Sequence, residues 1–203
     1  MASATDSSSA SSAFSAFSAL PRKFGWLLLH FFVWALSVPL LGAFWVQFIW
    51  KEDPCALCLL QRMCMILAGL GPVWILSQTA APTYQTTVTL WSRGFGMSVL
   101  AATLGLAISL RQILLHILPD DPGFGTPVLG YHLYSWAFGI FVIMLLCSGA
   151  CLLFTPALAP VASEKQRSKL TPITVGFFGL LIIGNTLVVS YKAMATALTA
   201  AAQ

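Results

Sequence analysis

Residues 54–77 read PCALCLLQRMCMILAGLGPVWILS. A proline opens the stretch, cysteines stand at 55 and 58, and from Ala56 onward Gln61, Arg62 and Ser77 interrupt an otherwise apolar run. A helix of about 20 apolar residues crosses the hydrocarbon core of a bilayer, so 56–77 reads as a membrane span with two sulfurs at one end. Two cysteines three residues apart on a first helical turn can close a small disulfide ring. The helix N-terminus and the cation of Arg62 both favour a thiolate, the form that attacks. The first expectation is a redox-active dithiol at a membrane surface.

Working outward, comparable apolar runs lie at 25–49, 95–117, 132–155 and 172–192. With 58% hydrophobic and 8% charged residues, the composition is that of an integral membrane protein. The expected fold class is all-α, a polytopic transmembrane helical bundle of five spans. Residues 1–24 are Ser/Ala-rich without a strong period and read as a disordered cytoplasmic tail, in which Phe14 and Phe17 make at most a short interfacial turn. Arg22 and Lys23 precede an apolar run, as in a secretory signal. That run continues to Trp50 without an Ala-x-Ala site, whereas signal h-regions end after roughly 7–15 residues, so the first span is expected to stay as an anchor.

Short loops rich in Lys and Arg prefer the cytoplasm. With the N-terminus inside, Arg22, Lys23, Arg93, Lys165, Arg167 and Lys169 fall on cytoplasmic segments, against Lys51 and Lys192 outside, while Arg111 lies within the third span. Glu52, Asp53, Asp120 and Asp121 then cluster at the outer face, and Glu164 sits in the basic loop 156–170. Cys55, Cys58 and the 118–131 loop are outside, where disulfides persist. Trp26, Trp50, Trp91, Tyr131, Tyr134, Trp136 and Tyr191 lie near span ends, as aromatic belts do.

Pro54-Cys55-Ala56-Leu57-Cys58 followed by Arg62, just after a long first span, resembles the signature of the DsbB family of disulfide-bond-formation membrane proteins. Arg111-Gln112-Ile113-Leu114-Leu115-His116-Ile117-Leu118-Pro119 at the outer end of the third span is similar to that family too. The resemblance covers roughly 25–155 and implies a four-helix bundle in a bacterial inner membrane. It implies that the dithiol passes electrons to a membrane quinone, ubiquinone or menaquinone, with Cys58 against the ring and Arg62 helping to hold it. Cys55 would then exchange with the incoming thiol of a thioredoxin-like periplasmic protein or another donor. The implied partners are that donor, quinone and lipid, with no nucleic acid.

Two departures stand out. The family's second outer loop carries another cysteine pair, whereas Asp120 to Gly130 here is free of cysteine and rich in turn formers. The span at 172–192, within a segment 171–203, is additional to the family-like domain 25–155.

An arginine inside an apolar segment is a functional-site candidate by default. Arg62 is four residues after Cys58 and shares its helix face, where a guanidinium could donate to a quinone carbonyl and stabilise developing charge. The plainer reading is that Arg62 snorkels or pairs with carbonyls of a neighbouring helix. Arg111, about two turns below the outer end of its span, either lines the site or satisfies carbonyls within the bundle. His116 and His132 flank the outer loop and either shuttle protons during quinone reduction or stand solvated; His116 is counted with Arg111 among the quinone-site candidates.

Cys64, Cys147 and Cys151 read as small apolar packers, the last two on one helix face. Gly94, Gly96, Gly139, Gly176 and Gly179 permit close helix contact. Two other classes of function stay open. Cys55, Cys58, His116 and His132 could converge on zinc or cuprous copper, although Arg62 would then sit beside a second cation, and no metal is expected. A bundle with a shortened loop could also be a non-catalytic subunit of a membrane complex, which would have no need of the dithiol.

Overall fold

The computed structural model describes residues 6–80, 88–159 and 170–201. They form α1 (Asp6–Ile49), α2 (Ala56–Ala80), α3 (Val88–Leu115), α4 (Leu133–Leu153), the single turn α5 (Thr155–Leu158) and α6 (Leu170–Ala201). Among the described residues there is no strand, only an isolated antiparallel bridge between Val128 and Tyr131. Five helices are long and apolar enough to cross a membrane: Phe24–Ile49, Ala56–Gln78, Val88–Leu115, Leu133–Leu153 and Leu170–Ala200.

The third span starts seven residues before the expected 95, because Arg93 does not end the helix. Its side chain stands exposed in the second turn of α3, where a long aliphatic stem can carry the charge towards water. At the N-terminus the helix runs back to Asp6, through a segment read as a disordered tail. Alanine has the highest helix propensity, and a segment continuous with a span extends a helix without a new nucleus. Of the basic loop, residues 160–169, with Glu164, Lys165, Arg167 and Lys169, lie outside the described residues.

α3 lies between α2 and α4, α1 packs on α2, and α6 packs on both α1 and α2. Pro72 sits inside α2 and has no N–H for the carbonyl of Ala68. The Ser98 hydroxyl of α3 donates to that carbonyl at 2.7 Å, satisfying in lipid a group that water cannot reach. Gly71 and Gly94 let the two backbones meet there, since a Cβ on either would strike the other's carbonyl. Gly96, Gly139, Gly176 and Gly179, expected at such contacts, have open space where a Cβ would go. Their lack of side chains is not used for helix packing.

α6 buries Thr171, Thr174, Phe178, Leu181 and Asn185, a spacing of three and four that makes one continuous stripe. At one end the ring of His30 from α1 hydrogen bonds the Thr174 hydroxyl at 2.9 Å, and Trp34 donates to the same oxygen at 3.2 Å. In mid-span the Phe178 ring occupies the space beside Gly69 of α2. At the far end Lys192 pairs with Asp53 at 2.7 Å. α6 is therefore parallel to α1, antiparallel to α2 and part of the packed bundle. Gly69→Leu is expected to expel Phe178, lower the melting temperature in detergent, and abolish oxidative cross-linking of an Asp53→Cys/Lys192→Cys pair. Overpacking of this kind costs about 1–3 kcal/mol. Retained cross-linking would show that Phe178 does not hold α6 in place.

Candidate active site

Cys55 occupies the N-cap position of α2, just after Pro54. Its sulfur takes the place of a capping oxygen, accepting the backbone N–H of Cys58 at 3.1 Å. The two sulfurs lie 2.6 Å apart, both half-buried and both free thiols. The Cys55 thiol is pushed down to about 6, first by the hydrogen bond from the Cys58 side chain. Burial opposes this shift, and the Cys58 and Leu57 backbone N–H groups and the Gln112 amide add to it. A half-buried sulfur at a helix N-terminus with a depressed thiol pKa has the thiolate character that suits a nucleophile.

Gln112 of α3 completes the arrangement. It is 1% exposed, and its Nε2 donates to Cys55 Sγ at 3.3 Å and to Cys58 Sγ at 3.5 Å. Its Oε1 accepts from Gln61 Nε2 at 3.0 Å, so a chain of two amides backs the sulfurs and can follow a shift of charge between them. The sequence reading missed this residue in favour of its neighbour. Arg111 is exposed on the outward side of α3 and is not brought to the sulfurs. The signal was present in the small and polar stripe Ser98, Ala102, Gly105, Ser109 and Gln112, all buried at helical spacing.

Arg62 lies one turn beyond Cys58 and is 6% exposed. One arm of its fork donates to Gln47 Oε1 at 2.7 Å and the other to the Ala43 carbonyl at 2.9 Å, while the guanidinium carbon stands 5.5 Å from the Phe44 ring centre. The expected alternative of pairing with carbonyls of a neighbouring helix is thus present. It leaves part of the five-donor guanidinium for other use. Neither ion pair among the described residues involves Arg62, so this buried cation has no carboxylate partner and its field falls on the nearby sulfurs.

The histidines are engaged elsewhere. His116 pairs with Asp121 at 3.0 Å and stacks on Tyr134, whose other neighbour is the ring of His132, at 5.3 Å. His132 Nδ1 meets the Gly125 carbonyl at 3.0 Å. The Gly123 N–H and then His116 hold the Asp121 carboxyl below its usual range. These contacts shape the α3–α4 loop, and Glu52, just before the dithiol, clasps the backbone N–H and hydroxyl of Thr126. Among the described residues no three His, Cys, Asp or Glu side chains are placed to hold a metal, so the two-cysteine, two-histidine site is not assembled. Cys151 is buried, whereas Cys147, expected on the same face, is exposed.

A family model described as "Disulfide bond formation protein DsbB" matches residues 22–125, from α1 into the α3–α4 loop, and so takes in both sulfurs, Arg62 and Gln112. The chain belongs to the DsbB family. "Disulfide bond formation protein B" of Hahella chejuensis is 32% identical over 128 residues, 61% of this chain and 73% of the relative. The protein of the same name from Chromobacterium violaceum is 35% identical over 79 residues, 39% of this chain and 44% of that one. "Disulfide bond formation protein B 2" of Burkholderia lata is 52% identical over 29 residues, 14% of this chain and 17% of that one. No solved structure matches the chain. DsbB membership together with five apolar spans makes this a multi-pass membrane protein of disulfide bond formation. The DsbB match ends before α4 and α6 begin.

Proposed function

We propose that this chain is a thiol:disulfide oxidoreductase that draws two electrons from a thiol substrate through Cys55 and Cys58 and delivers them to a membrane quinone, ubiquinone or menaquinone. The observation that carries the reading is the half-buried sulfur pair sharing one buried amide donor, with the Arg62 cation one turn deeper in the span. The chain sits in a bacterial inner membrane, its N-terminus cytoplasmic and its cysteine pair at the periplasmic face.

Starting from the Cys55–Cys58 disulfide, a donor thiolate attacks Cys55 Sγ. The bond between the two cysteines breaks, and Cys58 leaves as a thiolate facing Gln112 Nε2. A second donor thiol attacks the mixed disulfide and frees Cys55, so two thiols lose two electrons and two protons to the pair. Cys55 is the favoured target because it is the outer sulfur, and in the second exchange it is a good leaving group, its thiolate held by the α2 N-terminus. With no cysteine in residues 118–131, the donor, a thioredoxin-like periplasmic protein or a smaller thiol, acts on Cys55 directly. A bound quinone supplies the acceptor for two electrons and two protons as the dithiol closes again. The donor set fits such a group, because the unused N–H groups of Arg62 suit a carbonyl oxygen and lie on the face that carries Cys58.

The test is anaerobic quinone reduction by the purified protein with a dithiol donor, followed optically. Wild type is expected to turn over and Cys58→Ser to lose turnover entirely. Equal rates in the two proteins would overturn the mechanism.

A further inference from the structure

Asn185 stands in the middle of α6, 4% exposed, and its side-chain oxygen has no hydrogen-bond partner. A buried amide oxygen without a donor is costly, most of all in a span where no water replaces the missing bond. α6 packs on α1 and α2, so a buried side chain on it faces those helices. Its position along them follows from two fixed contacts. Phe178 lies beside Gly69, and Lys192 pairs with Asp53. Asn185 is seven residues from both Phe178 and Lys192, two turns along the same stripe. On the antiparallel α2, seven residues from Gly69 lead to Arg62, and seven more to Cys55.

The α1 side agrees independently. A Cβ on Gly184, the neighbour of Asn185, would lie 3.8 Å from the Phe44 ring. The guanidinium of Arg62 stands against that same ring. Asn185 therefore lies on the side of α6 turned to the stretch of α1 and α2 that holds Arg62, with a side-chain oxygen that no donor among the described residues satisfies.

We infer that Asn185 of α6 is a quinone-binding residue, which with Arg62 holds one oxygen of the headgroup. The inference rests on the quinone-linked reading and extends it to a helix beyond the family match. The chemistry suits an amide. A quinone carbonyl needs a donor, which Nδ2 provides, and a hydroquinone hydroxyl needs an acceptor, which Oδ1 provides. One side chain thus serves both oxidation states, whereas Arg62 can only donate. The extra span is in this way a wall of the site.

The experiment measures binding rather than turnover, on the full chain in detergent with the Cys55–Cys58 disulfide formed, so that the pair has no electrons to pass to the quinone. Ubiquinone with a single isoprene unit is titrated while tryptophan fluorescence is followed. Asn185→Leu is expected to bind about tenfold more weakly, the loss of one buried hydrogen bond. Its melting temperature should be unchanged or higher, since an unpaired polar group has left the packing. Unchanged affinity in Asn185→Leu, with the parent binding normally, overturns the role of Asn185 and leaves the quinone-linked reading standing. Absence of saturable binding in the parent overturns both. Should Asn185→Leu not fold, the isosteric Asn185→Asp carries the test. Its carboxylate would engage Arg62 and remove the amide donor, so weaker binding is again expected and undiminished binding again overturns the role.

Discussion

In the reduced protein, Cys58→Ala is expected to move the pH midpoint of Cys55 alkylation from about 6 up towards the ordinary thiol value of 9.0. The sign follows from the cause. The side chain of Cys58 is the largest influence lowering the Cys55 pKa. With it present the Cys55 thiolate exists above about pH 6 and is lost as the pH falls through that value. Without it the thiolate is lost nearer 9. At pH 7 the thiolate fraction would fall by roughly 100-fold for a three-unit shift. A more basic thiolate is also a better nucleophile, with a Brønsted coefficient of about 0.4–0.5 that returns roughly 20-fold. The net rate at pH 7 should therefore fall only about 5-fold, and the midpoint, not the rate at one pH, is the quantity to measure. Alkylation of the Cys55 peptide followed by mass spectrometry from pH 5 to 10 reads it directly. Gln112→Leu should shift the midpoint in the same direction by less, since it removes a lesser influence. A midpoint that stays near 6 in Cys58→Ala would assign the acidity of Cys55 to the helix N-terminus instead.

Arg62→Lys is expected to lower kcat/KM for quinone reduction by about 100-fold, the usual scale for losing a charged donor aimed at a developing oxyanion. The Cys55–Cys58 disulfide should still form at a normal rate with an external oxidant. The guanidinium reaches Gln47 and Ala43 with separate arms, which keeps its plane fixed between α1 and α2. A lysine ammonium has no planar fork and cannot hold both partners in that geometry while pointing a further donor into the niche. Thiol titration and quinone reduction on the same preparation separate the two effects. Lysine activity within twofold of wild type would reduce Arg62 to a packing residue. A parallel loss of disulfide formation would place the defect in the dithiol itself.

Both effects begin at residues that were legible in the chain. A cysteine pair, an arginine one turn later and the apolar run around them need only local spacing and hydropathy to be recognised. They signal a span, a helical face and a reactive end without any knowledge of what packs against them. The five spans follow from the same hydropathy, because a chain that buries its backbone polar groups in lipid has little choice but helices.

Gln112 and Arg111 show where local reading ends. Consecutive residues on a helix point about 100° apart, so the side of α3 turned to α2 decides which of them meets the sulfurs. The sequence drew attention to the charge, while packing turned Arg111 outward and Gln112 in. His116 and His132 lie near the dithiol in sequence-derived topology, yet Asp121, Tyr134 and the Gly125 carbonyl claim them. The dithiol and its arginine were determined by the sequence alone, because capping, thiolate stabilisation and the i to i+4 relation act within one helix. The amide behind the sulfurs, and the seating of α6 against α1 and α2, were decided only by tertiary structure. Both depend on the rotation and register of separate helices, which are set by contacts such as Ala68 with Ser98 and Gly69 with Phe178 between residues far apart in the chain.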